Sequence, residues 1–469
     1  MKGRDVMLAV DLGAGSGRVI AAAYDGKELE ARTISRFPTR RIDMLGRVYW
    51  DFPAIYREVV EAMRKCVAGG MNPVSIGVDS WGVDYGLIDS GGELLSLPRS
   101  YRDPAFNGLA NRFFATRDID AYYASAGIYP MDINSLFQLW KRRIDGDPKL
   151  DAAESVLFIP DLLTYFLCGE RVCEYTIAST SGMLDARSRS WDEGILSEAG
   201  IPRRLLHDVA QPASVAGRIL PQIAEATGVS PDMPVISVCG HDTQSAVAAL
   251  PEYTGDAPRA FLSSGTWSLL GVEAKEPVLT PEARLSGFSN EGGPFGRINL
   301  LQNITGMWIL QQLREQWLRR GEDISWSDMQ RLAADSGYAD AIDPDDNAFA
   351  SPGDMEDAIA AHCRRNGLRI PSAPGEFAMA AMRGLALRYA RGIRDLGRML
   401  PQPVARLDII GGGNRNALLN ELTHEATGIP IVTGEAEASS AGNLRMQALA
   451  LGISVPAGCR LKLNDNPLN

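Results

Sequence analysis

The segment that decides the fold is Cys239-Gly240-His241-Asp242-Thr243-Gln244. Residues 234–238, just before it, are apolar and rich in β-branched side chains, which predicts a short buried strand. Residues 245–250, just after it, are good helix formers. Asp242 therefore lies where a strand ends and a helix begins, which is where open α/β sheets bind their ligands. Taken alone, an Asp in this position is more often a helix N-cap.

Three further turns of small residues favour a ligand site over a helix cap. The first, residues 13–17, lies between predicted strands at 6–10 and 19–24. The second, residues 263–266, also lies between two predicted strands, and the third is the run Gly411-Gly412-Gly413. Backbone N–H groups in such turns bind phosphate, and consecutive glycines let the backbone lie flat against a ligand such as adenine. For the first turn a plain hairpin is an equally good interpretation.

The spacing of the first glycines argues against a dinucleotide-binding Rossmann domain. That fingerprint, G-x-G-x-x-G, opens a helix, whereas Gly13, Gly15 and Gly17 precede a strand. No Walker A sequence occurs either, so turns are expected to hold any phosphates in place of a P-loop lysine. Arg18 is expected to add a charged contact at the end of the first turn.

Length and composition limit the class of protein. A chain of 469 residues is too long for one core and predicts two domains. The net charge of -11 argues against nucleic acid or an anionic membrane surface as the main partner. No apolar run is long enough to span a membrane, and the first residues do not resemble a signal peptide. The six cysteines lack zinc-type spacing, which indicates reduced thiols in the cytoplasm.

The domain junction is predicted at residues 251–258, which carry two prolines and a glycine. Each half then begins with a strand, a turn of small residues and a returning strand, which indicates duplicated α/β domains that face each other. We expect an N-terminal domain at 1–250, a C-terminal domain at 255–455 and a short tail at 456–469.

Four motifs, in order along the chain, resemble those of the FGGY carbohydrate kinases, which have the actin/hexokinase-like fold. They are Asp11-Leu12-Gly13 with Ser16-Gly17-Arg18, Gly240-His241-Asp242-Thr243, Ser264-Gly265-Thr266-Trp267, and Ile410-Gly411-Gly412-Gly413. Each motif is weak alone, but the four in this order are specific and cover nearly the whole chain. The resemblance implies two ribonuclease H-like domains with the active site in the cleft between them. It also implies phosphoryl transfer from Mg²⁺·ATP to a sugar hydroxyl.

Within the family, four strings resemble members that phosphorylate the 6-deoxyketohexose L-rhamnulose. They are Asp79-Ser80-Trp81-Gly82-Val83-Asp84, Tyr101-Arg102-Asp103, Asn303-Ile304 with Gly306-Met307-Trp308, and Glu437-Ala438-Ser439-Ser440-Ala441-Gly442-Asn443. Members that act on L-fuculose lack that Asn and carry Gly-Ala in place of Gly442-Asn443. They share His241-Asp242-Thr243-Gln244, however, and Ala105 stands where many relatives have an Arg. L-Rhamnulose is the expected substrate, with L-fuculose or another ketose as the alternative.

The resemblance also implies roles for single residues. Asp242 would accept the hydroxyl proton as general base, and Asp11 would orient Mg²⁺ through water. The residues implied at the sugar are Trp81, Gly82, His241, Asp242, Thr243 and Asn303. Those implied at ATP are Ala14, Gly15, Ser16, Gly17, Arg18, Thr266, Gln311 and Gly412. The expected partners are the sugar and ATP, without nucleic acid or membrane, and the expected state is a cytoplasmic monomer or homodimer.

Two other classes stay open. A non-catalytic actin-like ATPase would not need a placed base at Asp242 or the polar aromatic loops at 80–103. A sugar sensor without turnover would not need Asp242 together with Arg18. Sugar-dependent release of ADP separates the kinase from both.

Overall fold

The structure is a computed structural model, and it describes residues 3–350 and 353–464. The strands are β1 (Asp5–Leu12), β2 (Ser16–Tyr24), β3 (Leu29–Pro38), β4 (Arg41–Met44), β5 (Arg47–Trp50), β6 (Asn72–Ser80), β7 (Tyr85–Asp89), β8 (Ala153–Phe158), β9 (Leu184–Asp185), β10 (Ser190–Trp191), β11 (Ser214–Arg218), β12 (Pro234–Ser237), β13 (Arg259–Ser264), β14 (Trp267–Ala274), β15 (Phe288–Gly292), β16 (Ile298–Thr305), β17 (Arg406–Ile410), β18 (Ile431–Thr433) and β19 (Leu461–Asn464). The helices are α1 (Phe52–Ala68), α2 (Leu109–Phe114), α3 (Ile119–Ala126), α4 (Ser135–Ile144), α5 (Pro148–Ala152), α6 (Ile159–Cys168), α7 (Tyr175–Ser179), α8 (Glu193–Ala199), α9 (Pro221–Thr227), α10 (Asp242–Ala248), α11 (Pro281–Leu285), α12 (Trp308–Arg319), α13 (Trp326–Asp335), α14 (Met355–Asn366), α15 (Pro374–Met399), α16 (Ala417–Thr427) and α17 (Ala438–Ala450).

The first sheet has the strand order β11-β12-β6-β1-β2-β3-β19. Its centre is β1, which is antiparallel to β2 and parallel to β6. Successive side chains of a strand point to opposite faces, and both faces of β1 are covered. Val6 and Leu8 pack in the cluster that includes α1 and α6, whereas Met7 and Ala9 pack with α17. This two-sided burial explains why residues 6–10 of β1 are continuously apolar.

The second sheet repeats the pattern of the first. Its strand order is β15-β16-β14-β13-β17-β18. β13 is antiparallel to β14 and parallel to β17, and β17 is parallel to β18. The first sheet contains the same arrangement in β1, β2, β6 and β12. The strand, turn and returning strand predicted at the head of each half are thus found in both sheets.

The chain forms two units that are not contiguous in sequence. The first consists of Met1–Glu252, Ala274–Leu300 and Glu437–Asn469, and the second of Tyr253–Glu273 and Leu301–Ala436. The chain first leaves the first unit within the predicted junction at 251–258. It returns at the end, where α17 packs on β1 and β19 pairs in parallel with β3. The predicted tail therefore contains a strand of the first sheet, and its residues 465–469 lie outside the described ones.

Two sequence predictions concern membrane-spanning segments and the state of the cysteines. In residues 3–350 and 353–464, no helix has both the length and the hydropathy needed to cross a membrane. All six cysteines lie in these ranges, none of them forms a disulfide there, and five of them are buried. These five act as small apolar side chains of the core.

Candidate active site

Ionisable side chains lie near or just beyond the carboxyl ends of three neighbouring strands of the first unit. Asp11 lies near the end of β1, and it pairs in register with Asp79 near the end of β6. The next residue of β6, Ser80, forms a parallel bridge with His241, which follows β12. Because these strands are parallel, their carboxyl ends meet at one edge of the sheet. Asp11, Asp79 and Asp242 therefore lie at the same edge.

Asp242 is the first residue of α10, and the N-cap of this helix is His241. The carboxylate of Asp242 accepts a hydrogen bond from Thr243 Oγ1 at 3.3 Å. It does not cap the helix, so a purely capping role does not describe this residue. About a third of its side chain (31%) is exposed, so a solute can reach the carboxylate. Burial raises the pKa of Asp242 to about 6, and His241 acts in the opposite direction, which leaves the group mostly ionised at pH 7.

Glu174, the buried N-cap of α7, holds the turn that precedes Asp242. Its carboxylate accepts hydrogen bonds from the backbone N of Gly240 at 2.9 Å and of Ile177 at 3.0 Å. Thr176 Oγ1 donates to the same carboxylate at 2.6 Å and accepts a hydrogen bond from the backbone N of His241 at 3.2 Å. A Cβ on Gly240 would lie only 3.0 Å from Glu174 Oε2. The start of α7 therefore fixes the direction in which α10 begins.

The imidazole of His241 lies between two carboxylates. Its Nδ1 is 3.0 Å from Glu291 Oε2, and its Nε2 is 3.5 Å from Asp242 Oδ1. Burial opposes a charge on this ring, but Glu291 and Asp242 raise the pKa of His241 above its ordinary value. Sequence reasoning did not find Glu291, because a single Glu within a strand has no local signature.

Asp11 is held by the start of α17. Its Oδ2 accepts hydrogen bonds from Ser439 Oγ at 2.5 Å and from Ser440 Oγ at 3.0 Å. Arg18 Nε lies 3.5 Å from the same oxygen, and the Arg18 guanidinium also forms an ion pair with Glu437. The string at 437–443, which carries part of the resemblance to the family, contains Glu437, Ser439 and Ser440. The sequence alone does not show that these residues lie around Asp11 and Arg18.

Asp79 is wholly buried, and only one of its two carboxylate oxygens has a hydrogen-bond partner among the described residues. Its Oδ2 accepts from Asn443 Nδ2 at 2.6 Å, whereas Oδ1 has no hydrogen bond within the part of the chain that the structure describes. Burial raises the pKa of Asp79 well above its ordinary value, and Asp11 adds to this effect. The neighbouring Gly442 is required by packing, since a Cβ there would lie 1.7 Å from the carbonyl oxygen of Ser245. The pair Gly442-Asn443 thus fits α17 against α10 and supplies the partner of Asp79.

The first turn, residues 13–17, joins β1 to β2 as a hairpin. A Cβ on Gly17 would lie 2.5 Å from the ring of Phe37, so packing alone requires this glycine. At Gly15, by contrast, no described atom lies within 4 Å of the Cβ position. Of the predicted ATP contacts here, Gly15 and Ser16 are exposed, Ala14 and Arg18 are half-buried, and Gly17 is buried. The turn is a hairpin whose tip remains open to a ligand.

The predicted sugar residues of the first unit are anchored in its interior. Trp81 is buried, stacks on Trp50 at a ring distance of 4.2 Å, and donates its indole N–H to Asp84 at 3.1 Å. A Cβ on Gly82 would lie 3.2 Å from the side chain of Thr180. His241 and Thr243 are buried as well.

The other predicted contacts belong to the second unit. Here the β13–β14 turn is joined to the start of α12, because Met307 N donates to Gly265 O at 3.0 Å and Trp308 N to Thr266 O at 3.2 Å. The predicted contacts in this unit are Thr266, Asn303 and Gln311, which are half-buried, and Gly412, which is exposed.

The three consecutive glycines differ in what surrounds them. Gly411 has a φ of +84°, and a Cβ there would lie 2.8 Å from the carbonyl oxygen of Ser264. A Cβ on Gly413 would lie 2.0 Å from Ser264 Oγ. At Gly412 no described atom lies within 4 Å. Packing against β13 therefore already requires Gly411 and Gly413, whereas Gly412, the residue predicted at ATP, has open surroundings.

The comparison with protein families covers both halves of the chain. Residues 6–249 match the N-terminal domain of the FGGY family of carbohydrate kinases, and residues 260–451 match the C-terminal domain of the same family. The chain belongs to the FGGY family of carbohydrate kinases. The predicted family, the two-domain α/β fold and the class of enzyme are thereby confirmed.

Several relatives of this FGGY kinase are rhamnulokinases. The one from Bacteroides thetaiotaomicron is 42% identical over 95% of this chain and 90% of the relative. The one from Pectobacterium atrosepticum is 37% identical over 95% and 88%, and the one from Oceanobacillus iheyensis 34% over 95% and 93%.

Solved structures of several other kinases share the fold. A gluconate kinase and a ligand-bound xylulose kinase, both from Lactobacillus acidophilus, each have a TM-score of 0.78 over 97% of this chain and 91% of their own, at 16% and 17% identity. The Plasmodium falciparum glycerol kinase with ADP has a TM-score of 0.77 at 15% identity, over 97% of this chain and 92% of its own. At these identities the likeness concerns the fold alone.

Two substitutions in the glycine run of this FGGY kinase should affect different properties, stability in one case and the use of ATP in the other. We expect Gly413→Ala to lower the free energy of unfolding by about 1–3 kcal/mol, as overpacking does, because its Cβ collides with Ser264. Gly412→Ala should leave the thermal midpoint unchanged and raise KM for ATP. Thermal unfolding of both variants and steady-state kinetics in ATP check this. Equal melting of the two variants would contradict the packing argument.

Proposed function

We propose that this chain is an ATP-dependent kinase that phosphorylates the primary hydroxyl of L-rhamnulose beside its ketone, which yields L-rhamnulose 1-phosphate and ADP. The observation that carries the proposal is the reachable, mostly ionised carboxylate of Asp242 at the carboxyl edge of the first sheet. It occurs in a chain that aligns over 95% of its length with rhamnulokinases. We place the reaction in the cytoplasm, where cysteines that form no disulfide, such as the five buried ones here, persist.

Asp242 would act as the general base. The sugar hydroxyl oxygen attacks the γ-phosphorus of ATP, the bond from that phosphorus to the bridging oxygen of ADP breaks, and the hydroxyl proton moves to the carboxylate. In a loose transition state the proton moves late, when the attacking oxygen has become acidic. A base with a pKa of about 6 is then sufficient, and most of the rate comes from positioning and charge stabilisation.

The first turn and its neighbours would hold the phosphates. The open tip at Gly15 and Ser16 offers backbone N–H groups, Arg18 offers a positive charge, and the turn at Thr266 would serve the same purpose in the second unit. Gln311 and Gly412 would contact the nucleoside, and the open surroundings of Gly412 leave room for it.

Asp11 would orient Mg²⁺ through water, and the residues present fit this ion. Mg²⁺ prefers oxygen ligands, keeps several waters and takes few carboxylates. The carboxylate of Asp11 is fixed by Ser439 and Ser440, and the unpartnered Oδ1 of Asp79 suits a metal-bound water. When bound, the ion would neutralise phosphate charge.

The sugar would be held by Trp81, Gly82, His241, Thr243 and Asn303. We expect kcat/KM for L-rhamnulose to exceed that for L-fuculose, and both to exceed those for D-xylulose and glycerol. A site that hydrogen-bonds a hydroxyl strongly rejects an epimer that leaves buried groups unpaired, whereas a missing methyl costs about 10–200-fold. A coupled assay of ADP release over the four substrates tests the proposal.

Asn303→Ala provides the control for this panel. The amide carries both donors and an acceptor, so its loss should compress the preference between the two epimers more than it slows the common reaction. A wild-type preference for L-fuculose would overturn the sugar but leave the kinase. Absence of ketose-dependent ADP release would overturn the kinase in favour of a sensor or a non-catalytic ATPase.

A further inference from the structure

Three side chains of the first unit form a row that ends at Asp242. Glu291 on β15 contacts one edge of the His241 ring through Nδ1 at 3.0 Å, and Asp242 lies 3.5 Å from Nε2 on the opposite edge. The side chains of His241 and Glu291 are only 8% and 7% exposed. The imidazole of His241 therefore lies between two carboxylates and is largely shielded from water.

Glu291 is itself held in position by other buried groups. Gln244 Nε2 donates to its Oε2 at 2.9 Å, and Asn299 Nδ2 donates to the amide oxygen of Gln244. The next residue, Gly292, donates its backbone N–H to Ser179 Oγ at 2.8 Å, which ties β15 to α7. These contacts leave Glu291 little freedom to turn away from the imidazole.

The charges around the row are mostly negative. His241 is influenced by Glu291, Asp242 and, more weakly, Glu174, and Asp242 is influenced by His241 and Asp11. A buried carboxylate is costly unless it is paired, and the cation that can pair with both Glu291 and Asp242 is the imidazolium of His241.

We propose that Glu291 is a positioning residue that holds His241 in its charged form against Asp242 and so keeps the base ionised. This inference rests on the proposed function, in which Asp242 takes the proton of the sugar hydroxyl. In this proposal Glu291 acts through His241 and not by contact with a substrate. It acts on Asp242 through the ring, because it lies on the far edge of the imidazole.

The first test uses Glu291→Gln and a measurement that needs no substrate. We expect the pKa of His241, followed by NMR of its imidazole and assigned with His241→Asn, to fall by about one unit or more, since an opposite charge within 4–6 Å shifts a pKa by about 1–3 units. The matched control is Glu225→Gln, an exposed glutamate on α9 of the same unit, which should leave that pKa unchanged. An ordinary His241 pKa in the wild type, or no change in Glu291→Gln, overturns the proposal.

The second test is the pH profile of kcat/KM for the ketose. If the weaker positive charge on His241 raises the pKa of Asp242 by about one unit, the ionised fraction of Asp242 at pH 6 falls from about one half to about one tenth, so the variant should be about fivefold slower than the wild type there. At pH 8.5 the two should agree within about twofold, since Asp242 is ionised in both. A loss of the same size at every pH would indicate a merely structural role and overturn the proposal.

A double-mutant cycle shows whether Glu291 acts through the ring. In the His241→Asn background, Glu291→Gln should change kcat/KM at pH 6 by less than about twofold, whereas independent effects would multiply. Multiplying effects would overturn the proposal. If the wild type does not release ADP with any ketose, the proposed function fails, while the NMR measurement still decides whether Glu291 controls His241. If Glu291→Gln does not fold, the wild-type pKa of His241 remains decisive.

Discussion

Asp242→Asn should reduce kcat by about 10²–10⁴-fold, the contribution expected of a general base, and should leave the affinity for ATP within a few-fold. The amide has nearly the same shape as the carboxylate but cannot accept the proton. Its hydrogen bond from Thr243 is preserved, because an amide oxygen also accepts. Single-turnover kinetics and equilibrium binding of ATP measure the two quantities.

The same variant makes a prediction about stability. The pKa of Asp242 is raised from 3.8 to about 6 in the folded protein, so between these values the folded state binds more protons than the unfolded state. Stability from this group is therefore lost as the pH rises from 4 to 6. At pH 7 the neutral amide should melt no lower than the wild type. Retention of more than a tenth of kcat would exclude the general-base role, and a lower melting temperature with normal turnover would return Asp242 to a structural role.

Arg18→Ala should reduce kcat/KM for ATP by about 10–150-fold, which corresponds to the roughly 1.5–3 kcal/mol of a charge-assisted hydrogen bond. Arg18 contacts Asp11 and Glu437, so its removal takes a cation away from two carboxylates beside the first turn. Both would repel the phosphates. The affinity for the sugar in the absence of nucleotide should stay nearly unchanged, and titration calorimetry measures it.

Arg36→Ala is the matched control. Arg36 lies 3.6 Å from the other oxygen of Glu437 but is 45% exposed, and pairs at the surface contribute about 0–1 kcal/mol. It should change kcat/KM for ATP by less than about fivefold. If Arg18→Ala instead abolished sugar binding and left KM for ATP unchanged, the first turn would have been assigned to the wrong ligand.

The elements around the site could be predicted because their signals are local. The apolar runs of β1, β6 and β12 and the helix-forming residues after Asp242 are read within windows of five to ten residues. The predicted strand at 234–238 ends at Ser237, and the helix begins at Asp242 itself. The edge at which Asp11, Asp79 and Asp242 meet then follows from parallel pairing.

The partners of these residues could not be predicted in the same way. Glu291 reaches His241 from 50 positions away along the chain, and Ser439 reaches Asp11 from 428 positions away. Such contacts depend on tertiary packing, for which a single sequence carries no periodic signal. The glycine run shows the same limit, because the sequence does not reveal that Ser264 leaves no room for a Cβ at Gly411 and Gly413.

The return of α17 to the first unit has a consequence for how the protein is made. At roughly 5–20 residues per second, a ribosome needs about 20–90 s to synthesise the 428 residues that separate Asp11 from Ser439. During that time the face of β1 that carries Met7 and Ala9 lacks its cover from α17. The second unit ends at Ala436 and can finish folding earlier. We therefore expect each nascent chain to expose this apolar face of β1 for about 20–90 s, to need protection by chaperones during that time, and to complete its Asp11 site only when translation is almost over.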